Sequence, residues 1–320
     1  MAESTASETT VVQYSRFGGP EVLELVSVPR PVPGEGQVLV EVRAVGVNPI
    51  DAKLRSGGRA SAPLTKPRGT GTDVSGVVVQ LGPGVDGWTQ GDEVIASVSG
   101  AYATHVLASV GRLTRRPVEW SWEQAAAVGI PVGTAYQSLR SLGVSAGQTL
   151  LVHAGSGAVG QAAIQFAVAW GAAVVATAGQ ARHERVRELG GVPVEYGTGL
   201  LERVRAAAPQ GIDVVLDAAG TDEALETSFA LVADRHSIGT IVVGARAAEL
   251  GIRAWSGGSP APLTDEEQRM RREGIAVAAG LAREGRFSVE VALTLPLAEA
   301  SQAQRLVETH EAPGKIVLLP

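Results

Sequence analysis

The chain has 320 residues, 27 basic and 33 acidic side chains, a formal net charge of −6 and no cysteine. A disulfide framework and a thiolate metal centre are therefore excluded, and the absence of any Lys/Arg run argues against nucleic acid as a partner. Apolar residues at 45% and charged residues at 19% supply ample core material, and the length predicts two domains.

Met1 to Thr10 is small, polar and acidic, without the positive and apolar regions of a signal peptide. No apolar run of about 18 residues occurs, so no membrane span is expected; the expectation is a cytoplasmic protein. Residues 11 to 110 read as β-rich. Runs such as Val38-Leu39-Val40-Glu41-Val42 and Val77-Val78-Val79 are separated by clusters such as Pro29 to Gly36 and Gly82-Pro83-Gly84, which predicts a small barrel or sandwich.

Ser121 is placed to cap a helix start, and residues 132–142 read as a helix. From residue 149 strands and helices alternate: strands at 149–153, 173–177, 192–196, 214–217 and 237–243, helices at 159–170, 182–189, 200–208 and 222–231. This rhythm predicts a parallel sheet wound on both faces. Residues 246–258 read as a loop, in which Trp255 either lines a pocket or anchors the segment. A long helix over 264–284, a strand at 289–295, a helix at 297–308 and a strand at 315–319 complete the chain.

The strongest local signal is Leu150-Leu151-Val152-His153-Ala154-Gly155-Ser156-Gly157-Ala158-Val159-Gly160. A strand runs into Gly-x-Gly-x-x-Gly and a helix follows, as a dinucleotide site requires. Gly155 makes the tight turn, Gly157 lets a pyrophosphate approach, and Gly160 lets helix and strand pack closely. Gly155, Ser156, Gly157, Ala158 and Val159 are thus the expected phosphate contacts, on the open amides of a helix N-terminus. The second strand ends in Thr177 rather than the carboxylate that binds ribose hydroxyls. Thr177, Gly179 and Arg182, with Arg185 beyond, offer hydroxyl, amide and guanidinium groups, and NADPH (NADP+) is the expected cofactor. The alternative is that Arg182 and Arg185 only line a solvated face.

Together, Gly18-Gly19-Pro20-Glu21-Val22-Leu23, Gly46-Val47-Asn48-Pro49-Ile50-Asp51-Ala52-Lys53, Gly69-Thr70-Gly71-Thr72-Asp73-Val74-Ser75-Gly76, Gly91-Asp92-Glu93-Val94, the glycine loop and Gly314-Lys315-Ile316-Val317 carry a resemblance. The chain resembles the zinc-free quinone oxidoreductases and alkenal/enone reductases of the medium-chain dehydrogenase/reductase superfamily. The resemblance implies an α/β fold: a Rossmann doubly wound parallel sheet domain plus a GroES-like β-barrel domain. The implied division is 1–127 for the first part of the GroES-like domain, 128–262 for the Rossmann domain and 263–320 for the segment that completes the former, with the active site in the cleft between them.

Zinc relatives use a Cys near position 48 and Gly-His-Glu near position 71, where this chain has Asn48 and Gly71-Thr72-Asp73. The five histidines, at 105, 153, 183, 236 and 310, show no ligand spacing, and no metal is expected. The resemblance further implies reduction of a quinone or an α,β-unsaturated carbonyl compound by hydride transfer. It places Asn48 by the nicotinamide, Lys53 on the ribose or the substrate oxygen, Thr134 near the nicotinamide, Tyr196 near the adenosine phosphate, Ala219 along the dinucleotide and Val243-Gly244 at the carboxamide. A homodimer is implied through the sheet edge near 237–243. Read locally, Asn48-Pro49 is a turn, Lys53 a solvated helix residue and Asp51 a cap or ion-pair partner rather than a catalyst. Two other functions stay open: an enoyl-type reductase of a biosynthetic pathway, for whose phosphopantetheine arm Arg55, Arg59 and Arg68 are candidates, and a non-catalytic NADPH sensor.

Overall fold

The structure, a computed structural model, describes residues 8–58, 63–255, 261–309, 311–312 and 314–320. Two compact units divide it: the chain up to Ile130 together with Val289–Pro320, and Pro131–Ser288. Among the described residues no helix is long and apolar enough to cross a membrane.

The first unit is built on the strand Gln37–Gly46. One of its edges pairs antiparallel with Asp73–Leu81. The other is shared, between His105–Ser109 along residues 37–41 and Lys315–Leu319 at residues 45–46. The full order is Val291–Pro296, Lys315–Leu319, Gln37–Gly46, Asp73–Leu81, Glu93–Ser97, Leu113–Arg115. Two register shifts in the central pair bend the sheet. At the second of them Gly76 comes so close that a Cβ would lie 2.2 Å from Glu41 O. The alternating valines Val38, Val40, Val42, Val74, Val78 and Val94 face one core, which Ile316 and Leu318 complete. A smaller sheet of Glu24–Pro29, Glu8–Tyr14 and Arg68–Gly69 joins the same core through Val12, whose amide donates to Tyr102 O at 2.8 Å.

The second unit holds six parallel strands in the order Val192–Val194, Ala173–Thr177, Thr149–His153, Val214–Asp217, Ile238–Thr240, Arg253–Ala254. In chain order this is 3-2-1-4-5-6, the doubly wound arrangement in which ligands bind at the carboxyl ends, where the order reverses. Thr149–His153 is buried along its whole length, as a central strand covered on both faces must be.

Three expectations need correction. The strand at 237–243 is only Ile238–Thr240. The Thr240 hydroxyl accepts the Val242 and Val243 amides and so turns the chain off the ladder; Val243 and Gly244 then belong to a 3-10 turn. Residues 246–258 are not all loop: Ala247–Leu250 is helical, and Arg253–Ala254 is an edge strand. Trp255 is buried against the face of Gly239, where a Cβ would lie 2.4 Å from the indole, so it anchors the segment; Gly257 and Gly258 lie outside the described residues.

The third correction concerns the boundary at 263. The helix Asp265–Arg283, capped by Thr264 and Glu267, belongs to the second unit, and the return to the first begins at Val289. Gly274 sits on Tyr136 of the helix Gly129–Leu142, the Tyr136 hydroxyl donates to Glu273 at 2.8 Å, and Gly133 sits against Arg271. Glycines at the crossing let the two helices approach, and an apolar periodicity does not say which sheet a helix will cover. A Cβ on Gly274 would lie 2.5 Å from Tyr136 Cβ. Gly274→Leu is therefore expected to destabilise the protein by about 1–3 kcal/mol through overpacking, read as a lower urea midpoint at an unchanged slope.

Candidate functional sites

The first site is the glycine loop. The strand Thr149–His153 ends in Ala154 at φ 57°, the one non-glycine residue with positive φ among those described. Its amide donates to Thr177 Oγ1 at 3.0 Å, and the Gly155 amide donates to Thr177 O at 2.8 Å. Thr177 is buried; its hydroxyl fastens the loop, so the direct cofactor contact expected of it is spent inside the protein. The Ser228 hydroxyl donates to Ala224 O at 2.7 Å, so the proton shared with His153 at 3.1 Å sits on His153 Nε2, leaving Nδ1 to face the Thr177 hydroxyl at 3.5 Å. Burial pushes His153 down to about 4 and keeps it neutral under the loop.

The three glycines differ in what they answer to. A Cβ on Gly155 would lie 2.6 Å from Ala176 Cβ, and one on Gly160 2.4 Å from Ala154 O. Both are demanded by the protein. Gly157 has an ordinary backbone of φ −73°, is exposed, and its Cβ would meet nothing nearer than Ala154 O at 3.4 Å. It caps the helix Ala158–Ala169, and no side chain caps that end. Neither a positive φ nor packing requires a glycine there. The amides of the helix start, with Ser156, Ala158 and Val159 half-buried around them, form an anion cradle.

Along the carboxyl edge, Gly179 leaves room for the Tyr196 hydroxyl, which would be 3.4 Å from its Cβ, and Tyr196 is 60% exposed. Arg182 is half-buried in the 3-10 turn Gln180–Arg182. Arg185 is committed elsewhere, to Gln161, Glu188 and Ser288. Asp217 Oδ1 accepts the Ala219 and Gly220 amides and Oδ2 the Thr240 hydroxyl, which shapes the turns that carry Ala219, Val243 and Gly244. Thr134 is buried on its helix.

The second site lies in the first unit. Pro49 opens the helix Pro49–Arg55, Asn48 caps it, and Asp51 Oδ2 accepts the Asn48 amide at 2.9 Å. The Asn48 side chain is 1% exposed. Its Nδ2 donates to Asp73 Oδ2 at 2.9 Å and Gly46 O at 3.3 Å, and its Oδ1 accepts from Lys315 Nζ. Lys315 Nζ lies 4.0 Å from Asp73 Oδ2, which also accepts the Ile130 amide at 2.8 Å. The Tyr102 hydroxyl donates to Asp51 Oδ2 at 3.1 Å, and Asp51 Oδ1 has no hydrogen-bond partner.

Asn48 thus holds its amide protons within the unit, where a donor to cofactor or substrate was expected. Lys53 sits on the exposed face of its helix, away from buried Asp51, Ala52 and Arg55; the lysine brought to Asn48 is Lys315. In the sequence Lys315 stands out only as part of Gly314-Lys315-Ile316-Val317. The signal that marks it is a lysine opening the apolar strand Lys315–Leu319. Arg55 is spent on Gln304, Gly18 and Glu308 and offers nothing to a phosphopantetheine arm, while Arg59 lies outside the described residues. Among the described residues no three His, Cys, Asp or Glu side chains are grouped to hold a metal ion.

Burial pushes Asp51 up to about 7, aided by Asp73 and opposed by the Asn48 amide, Lys315 and Tyr102. Burial also pushes Lys315 below its ordinary value, against Asp73 and Asp51. The folded chain holds the Asp51 proton more tightly than the unfolded chain, where the group titrates near 3.8. The stability it contributes is complete below about 3.8 and is lost as the pH rises through about 7. Asp51→Asn cannot lose a proton. Thermal melts at pH 5 and pH 8.5 are expected to show the wild type losing ground to this variant at the higher pH, by a few kcal/mol at most.

Residues 34–136 match the alcohol dehydrogenase GroES-like domain family, and residues 158–255 the zinc-binding dehydrogenase family. The quinone oxidoreductase of Homo sapiens is 35% identical over 243 residues, 73% of each chain. The structure of the quinone oxidoreductase from Coxiella burnetii superposes with a TM-score of 0.82 at 30% identity, covering 98% of this chain and 100% of that one. A mycobacterial protein solved in complex with NADPH superposes with a TM-score of 0.81 at 28% identity, over 98% and 100% of the two chains. With a GroES-like unit, a 3-2-1-4-5-6 parallel sheet and these relatives, the chain belongs to the quinone oxidoreductases of the medium-chain dehydrogenase/reductase superfamily.

Proposed function

We propose that the chain is an NADPH-dependent, zinc-independent reductase of quinones or of the activated C=C bond of α,β-unsaturated carbonyl compounds. The observation that carries this reading is Gly157, an exposed glycine N-cap at a helix start with no side-chain cap, whose lack of a side chain is required neither by packing nor by a positive φ. A pyrophosphate lying against that backbone accounts for it. Gly155, Ser156, Gly157, Ala158 and Val159 would hold it. Gly179, Arg182 and Tyr196 would face the ribose phosphate, with no carboxylate at Thr177 to repel it. Thr134, Ala219, Val243 and Gly244 would line the remainder. The NADPH complex of the mycobacterial relative supports the choice of cofactor.

NADPH, when bound, supplies a hydride. The acceptor becomes an enolate or a hydroquinone anion whose charge is already delocalised, so the protein's task is alignment and a few hydrogen bonds. The donor set does not fit a catalytic zinc, which takes about three ligands of Cys, His or carboxylate type. There is no cysteine, Asn48 stands where a thiolate would be needed, and the Lys315 ammonium already neutralises Asp73. The Asn48 cluster is a polar constellation of the first unit that can set hydrogen-bond directions without a metal.

The test is a fluorescence titration with NADPH and NADH, followed by addition of benzoquinone or a small α,β-unsaturated ketone. NADPH is expected to bind at least about tenfold more tightly than NADH, one charge-assisted hydrogen bond being worth that much. Gly157→Ala is expected to weaken binding at least about tenfold while lowering stability by no more than about 1 kcal/mol, the loss of a glycine N-cap, since the added methyl meets no protein atom closer than 3.4 Å. Equal affinity for both cofactors would sink the reading of residues 177–182, and tight binding without oxidation by either acceptor would sink the reductase reading.

A further inference from the structure

We propose that Lys315 is a positioning residue of the Asn48 site, the donor that, opposite the acceptors Asp73 and Gly46, fixes which way the Asn48 amide faces. The proposal rests on the reading of the chain as a reductase whose reaction uses that amide's orientation.

An asparagine amide has two orientations of nearly the same shape, with oxygen and nitrogen exchanged. Here the two ends meet opposite partners. Oδ1 faces Lys315 Nζ, which can only donate. Nδ2 faces Asp73 Oδ2 at 2.9 Å and Gly46 O at 3.3 Å, which can only accept. Turning the amide over would set its NH2 against an ammonium and its oxygen against a carboxylate. Asp73 is held independently by the Ile130 amide, so it does not follow Asn48 if the amide turns.

The separation of the charges supports the same conclusion. Lys315 and Asp73 are 4.0 Å apart, beyond a hydrogen bond, although both are buried. A direct contact would do more for stability; the pair is instead bridged through the Asn48 amide. Residue type agrees. Lysine stands at only 53, 66 and 315 among 27 basic residues. An arginine at 315 could engage Asp73 with a planar two-pronged fork, bypassing the amide, whereas an ammonium is a point donor that can stop at Oδ1. Gly46 makes the room: its Cβ would lie 3.3 Å from Lys315 Cε and 2.2 Å from Ala126 O.

The test compares the wild type, Lys315→Met and the double variant Asp73→Asn/Lys315→Met. Replacing a buried ion pair by neutral groups of similar size is tolerated, so the double variant keeps the test valid if the single one is unstable. In Lys315→Met the Asp73 carboxylate and the Gly46 carbonyl still hold Nδ2 while Oδ1 loses its donor, so this variant is expected to bind NADPH like the wild type and to lose part of its kcat. The double variant is expected to regain stability but not kcat, since both orientations of the amide are then open. A wild-type kcat in Lys315→Met, or a kcat that returns with stability in the double variant, would overturn the proposal. A second readout needs no turnover: the side-chain amide ¹H–¹⁵N signal of Asn48, assigned by its loss in Asn48→Ala. It should be a single pair in the wild type and move or double in both variants. An unmoved signal overturns the proposal. A moved signal in a protein that oxidises no NADPH leaves Lys315 in its role and removes the reductase reading instead.

Discussion

Around Asn48 the first unit buries one ammonium and two carboxyls, and much of its local structure follows from settling that imbalance. Placing a charge in a protein interior is costly unless it is paired. Lys315 can balance Asp73 or Asp51 but not both, and the cluster settles on Asp73, bridged through Asn48. Asp51 is left to keep a proton up to about neutral pH, with the Tyr102 hydroxyl and the Asn48 amide on one oxygen and nothing on the other. The helix Pro49–Arg55 starts where it does because Asp51 is held there, and it is clamped at its far end by Arg55 against Gln304 and Glu308. Gly71, at φ 88°, leaves the space that the Tyr102 ring fills, since a Cβ there would lie 2.2 Å from the ring.

The second unit solves the reverse problem. Beneath its glycine loop the groups that fasten the turn carry no charge. His153 is neutral, Thr177 contributes only a hydroxyl, and the strain of Ala154 in the left-handed region is held by one hydrogen bond from its amide. What remains at the loop is the field of the helix Ala158–Ala169, whose first amides point outward.

The sequence made the order and type of the elements legible because the periodicity of each is local. Strands such as Val214–Asp217 and Lys315–Leu319 and the helix Asp222–Leu231 lie where the apolar pattern placed them. The Ser121 cap with Gln124 is equally local. The departures all involve partners distant in the chain. The strand at Ile238 stops short because the Thr240 hydroxyl meets Asp217; the helix Asp265–Arg283 covers the parallel sheet because Gly274 meets Tyr136. At the candidate sites the contrast is sharper. The glycine loop is contiguous and could be read residue by residue. Lys315 is 267 residues from Asn48, and no spacing rule links them; Lys53, near in sequence, is on the exposed face of its helix.

The return of Lys315–Leu319 to the edge of Gln37–Gly46 sets an order of events during synthesis. The parallel sheet of Pro131–Ser288 has all its strands once that stretch has left the ribosome, and it can close as a unit, as contiguous domains do. The β-rich unit cannot. Until residues 315–319 emerge, its central strand has an open edge at residues 45–46, its core lacks Ile316 and Leu318, and Asp73 has no ammonium to face. Exposed edges and unfilled apolar faces are what chaperones recognise. The part of the protein that the ribosome delivers first is thus the part that waits longest to be native.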